Sequence, residues 1–184
     1  MRIPLILFAL LLFVIKTSGQ VCNDPICHFV LENGKKEIWH INRPPVNQRV
    51  TEFNLVKFKY LDEIWIEAGG CVNTHGLGKT SKRYVNPSGP NSDRLYFGLI
   101  KIPGITADLD RVSNYIGKQN ILLTPPHIQD EAKLFLTLGY VDDGDNYKDN
   151  DYKDQDDGTE DQCKGVGDAW LRITIIHHTK ADVP

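Results

Sequence analysis

The sequence predicts an all-β protein, an antiparallel β-sandwich interrupted by one long acidic loop. Three observations carry this. Residues 62–68 (DEIWIEA), 94–102 (RLYFGLIKI), 133–141 (KLFLTLGYV) and 169–176 (AWLRITII) are rich in β-branched and aromatic residues and alternate, or nearly alternate, between apolar and polar. No window carries the period of a long amphipathic helix. Between these runs lie turn-forming residues: Pro44-Pro45, Gly76 to Gly78, Pro87 to Pro90, Pro103-Gly104 and Pro125-Pro126. Many short strands separated by turns are the pattern of a sandwich.

Taken in order, the chain opens with Arg2, an apolar run over residues 3–15 broken only by Pro4, then Lys16 and the small residues Thr17, Ser18 and Gly19. This is the pattern of a secretory signal peptide over residues 1–19. An apolar run of about thirteen residues falls short of the roughly twenty needed to cross a bilayer, so no membrane span is expected. Residues 20–184 are read as one exported domain, large enough to bury about two-thirds of its unfolded surface. Residues 37–41, 53–60 and 120–123 are weaker strand candidates, and residues 107–115 are the one place where a short helix is expected. Trp39, Trp65 and Trp170 fall in candidate strands and are read as core or sheet-face residues. His177 and His178 follow the last strand on opposite faces and are read as solvated.

Cys22, Cys27, Cys71 and Cys163 stand in an exported, oxidising setting, so disulfides are expected rather than a metal cluster, for which no CxxC or HxxxH spacing exists. Three pairings are open. Cys22 and Cys27 flank Asn23-Asp24-Pro25 and can close a small loop, which leaves Cys71 for Cys163. That second bridge would tie the segment after Gly70 to the acidic loop.

The charge is local. Without Arg2 and Lys16, the 21 basic residues become 19 against 24 acidic. Setting aside the ten acids and two lysines of residues 142–161 leaves 17 basic against 14 acidic. No basic face is evident, and a nucleic-acid partner is not expected. The GxSxG and HExxH motifs are absent, and the four cysteines are expected to be oxidised, so the chain is not read as an enzyme. Paired carboxylates of a glycosidase need one member in an apolar pocket, which a charge-dense loop does not offer. Gly76-Leu77-Gly78-Lys79-Thr80 echoes a phosphate-binding loop but has Asn73 where the first glycine belongs, and is read as a glycine-rich turn.

Residues 139–163 (GYVDDGDNYKDNDYKDQDDGTEDQC) therefore hold the chemistry. So many carboxylates repel one another unless solvated or bridged by a cation, and Ca2+ takes six to eight oxygens from carboxylates, amides, main chain and water. Asp142, Asn146, Asp149 and Asn150 offer such a set. An EF-hand is excluded because, counting from Asp154, the fifth position is Gly158. The run DNDYKDQDDGTEDQC is similar to one thrombospondin type 3 repeat, but a single unit with interrupted spacing.

With its flanking strands, the region 62–176 resembles the PA-I-type galactophilic lectins of bacteria, whose calcium loop reads D-x3-T-x2-N-N. Here Asp142-x3-Asn146-x2-Asp149-Asn150 follows the aromatic strand end Tyr140-Val141, and IWIEAGG is similar to the family's strand that ends in Ala-Gly. The resemblance implies a galactose-binding-like jelly roll. It implies a Ca2+ held by the side chains of Asp142, Asp149 and Asn150 and by main-chain oxygens of Asn146 and of a residue among Asn73, Thr74 and His75. It also implies a carbohydrate partner, galactose-containing glycans by analogy. In that reading Lys79, Arg83, Asn91 and Asp93, in the polar segment 81–98 and just before it, would meet sugar hydroxyls while a tyrosine packs on the sugar's apolar face. Lectins gain avidity by assembling, so an oligomer is compatible with it. The inserted residues 151–168 depart from the family. If their aspartates fill every ion position, the chain is instead a calcium-stabilised structural or protein-binding sandwich.

Overall fold

The computed structural model describes residues 20–85, 89, 92–121, 133–179 and 181–182. The expected signal peptide 1–19, Asn91 and the end of the candidate strand 120–123 lie outside the described residues. Strands come in the order β1 (Gln20–Asn23), β2 (Ile26–Leu31), β3 (Lys36–Asn42), β4 (Val50–Lys57), β5 (Glu63–Gly69), β6 (Cys71–Asn73), β7 (Ser81–Arg83), β8 (Phe97–Lys101), β9 (Asp110–Arg111), β10 (Asn120–Ile121), β11 (Phe135–Val141) and β12 (Trp170–Ile176). Among the described residues the only α-helix is one turn, Ser92–Leu95.

Two antiparallel sheets dominate. One has the order β1-β2-β3-β12-β5-β10, the other β4-β11-β8-β9, and β6 and β7 form a separate two-stranded pair. Alternation drives their packing. On β12, Leu171, Ile173 and Ile175 are buried while Trp170, Arg172, Thr174 and Ile176 are partly exposed. Ile64 and Ile66 of β5 and Ile41 of β3 join them, and Val56, Ile100, Leu136 and Leu138 of the second sheet complete the same cluster. Both sheets thus turn one face into a shared core, where each fully buried aliphatic side chain contributes about 1.5–3 kcal/mol.

The four main sequence-read strands are β5, β8, β11 and β12, within a few residues of the expected ends. Residues 107–115 are not a helix: they form β9 and a single 3-10 turn, Val112–Asn114. Asp108 and Asp110 accept hydrogen bonds from the N–H groups of Leu109 (2.8 Å) and Arg111 (2.7 Å), local bonds that compete with a helical ladder. The hairpin β1-β2 and the pair β6-β7 went unread, because one is short and punctuated by cysteines and the other has three residues per strand.

Both disulfides form as the spacing suggested. Cys22 and Cys27 face each other across the β1-β2 hairpin. Cys71 of β6 joins Cys163 with Cα atoms 6.1 Å apart. Gly70, with φ +87°, makes the turn from β5 into β6 so close to Asp168 that a Cβ there would strike the Asp168 carbonyl oxygen.

Candidate functional site

β11 ends by delivering Asp142 to the rim of the second sheet. Two tight 3-10 turns follow, Asp143–Asp145 and Tyr147–Asp149, the first opened by Gly144 at φ +71°. They bring Asn150 back beneath Asp142. Asn150 donates from Nδ2 to the Val46 carbonyl at 3.1 Å and its side chain also bonds Asp142. Asp142 is only 9% exposed and Asn150 3%. Burial raises the Asp142 carboxyl above its usual range; the bonds from Asn150 and from the Asp143 N–H oppose this, and the negative charges of Asp149 and Asp143 add to it.

Two acceptors at this junction have no donor: Asp142 Oδ2 and Asn150 Oδ1. Buried polar atoms are nearly always satisfied, and leaving one unmet costs about 1–3 kcal/mol. Neither oxygen can turn to donate when the carboxylate is ionised. A donor or a cation would satisfy them; the buried hydroxyls of Tyr84 and Tyr140 likewise have no protein partner among the described residues. Nearby Tyr96 has its phenol pushed up by burial and then by the negative charges of Asp142, Asp143 and Asp149. Buried Tyr140, stacked parallel to Tyr84 at 6.2 Å, walls it from the core.

The remaining expected ligands lie differently. Asn146 Nδ2 donates to Asp149 Oδ2 at 2.7 Å, so these two side chains engage each other. His75, at φ +47°, places its ring on Asp151, with Nε2 2.9 Å from Oδ1. Asn73, two residues earlier, exchanges main-chain hydrogen bonds of 3.0 Å with Asp151 at the end of the loop. Among the described residues no three His, Cys, Asp or Glu side chains are grouped to hold a metal by themselves.

Several carboxylates of the inserted residues 151–168 are met by groups from other parts of the chain. Asp156 accepts from the N–H groups of Thr80 (2.6 Å), Ser81 (2.9 Å) and Gly158 (2.8 Å), and these bonds outweigh burial to hold its carboxyl down at about 2. Asn73 Nδ2 donates to the Lys153 carbonyl at 2.8 Å, and Gln155 Nε2 donates to the Cys71 carbonyl at 2.9 Å. Lys79 pairs with Asp161 and lies 3.8 Å from Asp157. The main-chain N–H of Arg83 donates to Gln162 Oε1 at 3.3 Å. Two of the expected sugar contacts, Lys79 and Arg83, thus sit against the insertion, while Asp93 belongs to the turn Ser92–Leu95.

Two features escaped the sequence reading. A cleft of about 460 Å³ borders the loop, lined by Arg49, Phe97, Asp108, Asp110, Arg111 and Tyr147 among others; Arg111 lies 4.2 Å from the Phe97 ring centroid. At the opposite end of the fold His177 is not merely solvated. Its Nδ1 lies 2.7 Å from Asp62 Oδ1 and its Nε2 3.1 Å from Glu37 Oε1. Trp39 Nε1 donates to Glu37 Oε2 at 3.2 Å. Only the proximity of His177 to β12 was visible in the sequence; the partners come from other strands.

No protein-family model matches the chain, and no curated protein or solved structure was found to be significantly similar to it.

Proposed function

We propose that this chain is an exported, calcium-dependent carbohydrate-binding protein, a binding module rather than an enzyme, with the jelly-roll form of a β-sandwich. The observation that supports it is the pair of buried acceptors without donors, Asp142 Oδ2 and Asn150 Oδ1. A Ca2+ at this point satisfies both and offsets the crowding of Asp142, Asp143 and Asp149. Asp149 and the main chain of the two turns lie within the same loop to add oxygens. Positions left open on the ion would take a sugar diol, with galactose-containing glycans the first class to try. The cleft beside Tyr147 offers the cations of Arg49 and Arg111, the carboxylates of Asp108 and Asp110 and aromatic surface to the rest of the sugar.

A second reading, a calcium-stabilised structural or protein-binding module, is favoured by Lys79, which is engaged with Asp157 and Asp161 rather than free for a ligand. Thermal melts separate the two. Calcium at about a hundred times its Kd adds about 2.7 kcal/mol, which in a domain of this size raises Tm by about 5–10 °C. A further rise with methyl-galactoside supports the lectin. A calcium rise with no response to any sugar of a broad panel supports the structural module. No response to calcium, with chelator changing nothing, rejects both.

A further inference from the structure

The outward face of the six-stranded sheet carries a second cleft, of about 690 Å³, within the range of small-molecule sites. Its floor is set by register. Trp170 of β12 stands opposite Gly69 of β5 and Asn42 of β3, and Arg172 stands opposite Glu67 and His40. Because Gly69 has no side chain, the indole lies over the neighbouring strand: a Cβ on Gly69 would lie 3.3–3.4 Å from Nε1, Cε2 and Cζ2 of Trp170. The His40 ring flanks the indole at 5.9 Å, tilted by 51°.

Around this aromatic floor the polar groups come in balanced pairs. Arg43 Nε donates to Asp168 Oδ2 at 2.6 Å, with Asp24 close enough to add to the stabilisation of the guanidinium. Arg172 Nη1 lies 3.2 Å from Glu67 Oε2. The cleft thus has an aromatic and apolar surface from Trp170, Phe29 and Ile38, a rim of part-exposed, ion-paired donors and acceptors, and no excess of either charge. A nucleic acid or an acidic glycan would demand unpaired cations. A lipid would demand a deeper apolar lining. A ring with one face of C–H groups and an edge of hydroxyls meets each part: the C–H face on the indole, the hydroxyls on the Arg43–Asp168 pair and Asn42.

We propose that this cleft binds a neutral oligosaccharide on Trp170, without calcium. It is a site apart from the Asp142 loop, and it stands or falls independently of the ion. The test is NMR titration of the uniformly ¹⁵N-labelled chain with cellotriose, maltotriose and β-1,4-galactotriose, with trigalacturonate as the charged control. Each is added at about 10 mM, enough to fill a millimolar site. The expected result is a shift of the Trp170 indole N–H cross-peak with at least one neutral trisaccharide, unchanged by chelator and by Asp142→Asn. Trp170→Ala should weaken binding at least about tenfold, equivalent to about 1.4 kcal/mol. Should that variant misfold, the wild-type indole shift and a loss of affinity in Arg43→Ala decide the question. Absence of any indole shift with all three neutral sugars overturns the proposal, as does equal binding by Trp170→Ala. Sugar binding that vanishes with chelator overturns it too, and supports the calcium-loop reading instead.

Discussion

Raising the pH from 7 to 9 should cost this protein about 2 kcal/mol through one residue, His177. Its ring is held protonated first by the hydrogen bond to Asp62, then by that to Glu37, against burial and the charge of Lys59, and its pKa rises from 6.5 to about 9. Glu37 mirrors this: the bond from His177 leads the causes that bring its carboxyl from 4.5 down to about 2. The two shifts describe one interaction and are not added. A raised pKa of this size corresponds to about 3 kcal/mol of stability, present in full below pH 6.5 and lost as pH climbs through 9. The side chains are well shielded, His177 at 15% exposure and Asp62 at 1%, so solvent screening removes little of it. Most of the loss falls between pH 7 and 9, and it should lower Tm by about 4–8 °C. Urea unfolding at both pH values measures the difference directly. His177→Gln should be less stable at pH 7 by about 3 kcal/mol and should lose the extra slope above pH 7. Equal pH dependence in wild type and His177→Gln would refute the reasoning.

Other consequences are local. Asp156→Ala removes the acceptor for three main-chain N–H groups and should cost about 2–3 kcal/mol in chemical unfolding, with limited proteolysis then cutting first within residues 151–168. A wild-type protease pattern would contradict that role. Gly98→Ala places a methyl 2.6 Å from Cε2 of Tyr84, whose ring is fully buried and stacked on Tyr140. It should cost about 1–3 kcal/mol by overpacking, and an unchanged Tm would show that the tyrosine pair yields. Reducing Cys71–Cys163, which closes a separation of 92 residues, should cost about 4–5 kcal/mol in the chain-entropy picture, seen as a Tm drop with reductant that Cys71→Ala/Cys163→Ala reproduces.

Strand identity was legible where alternation was strong, because a half-buried strand writes its two faces directly into the sequence, as Leu171, Ile173 and Ile175 do. The hairpin at Cys22 and Cys27 and the three-residue strands β6 and β7 were not, since so few residues carry no period. The acidic loop was legible as a charge-dense segment between two strands, but its internal pairing was not. Nothing local says that Asp156 will face the N–H groups of Thr80 and Ser81, or that Asn146 will turn to Asp149. The same holds for Trp170: its seat on Gly69 is a matter of register between strands separated by a hundred residues of chain. Sequence reading recognises which residues have chemistry; sheet register decides which of them meet.

Calorimetric titration of chelator-stripped protein with Ca2+ tests the central claim most directly. Ionised Asp142 and the oxygen of Asn150 are expected to take up one Ca2+ per chain, and Asp142→Asn, which keeps the shape and removes the charge, should abolish that uptake while leaving the fold intact. A wild-type chain that evolves no binding heat at any accessible temperature and gains no thermal stability from Ca2+ would contradict it, as would an Asp142→Asn variant that binds the ion as tightly as the parent.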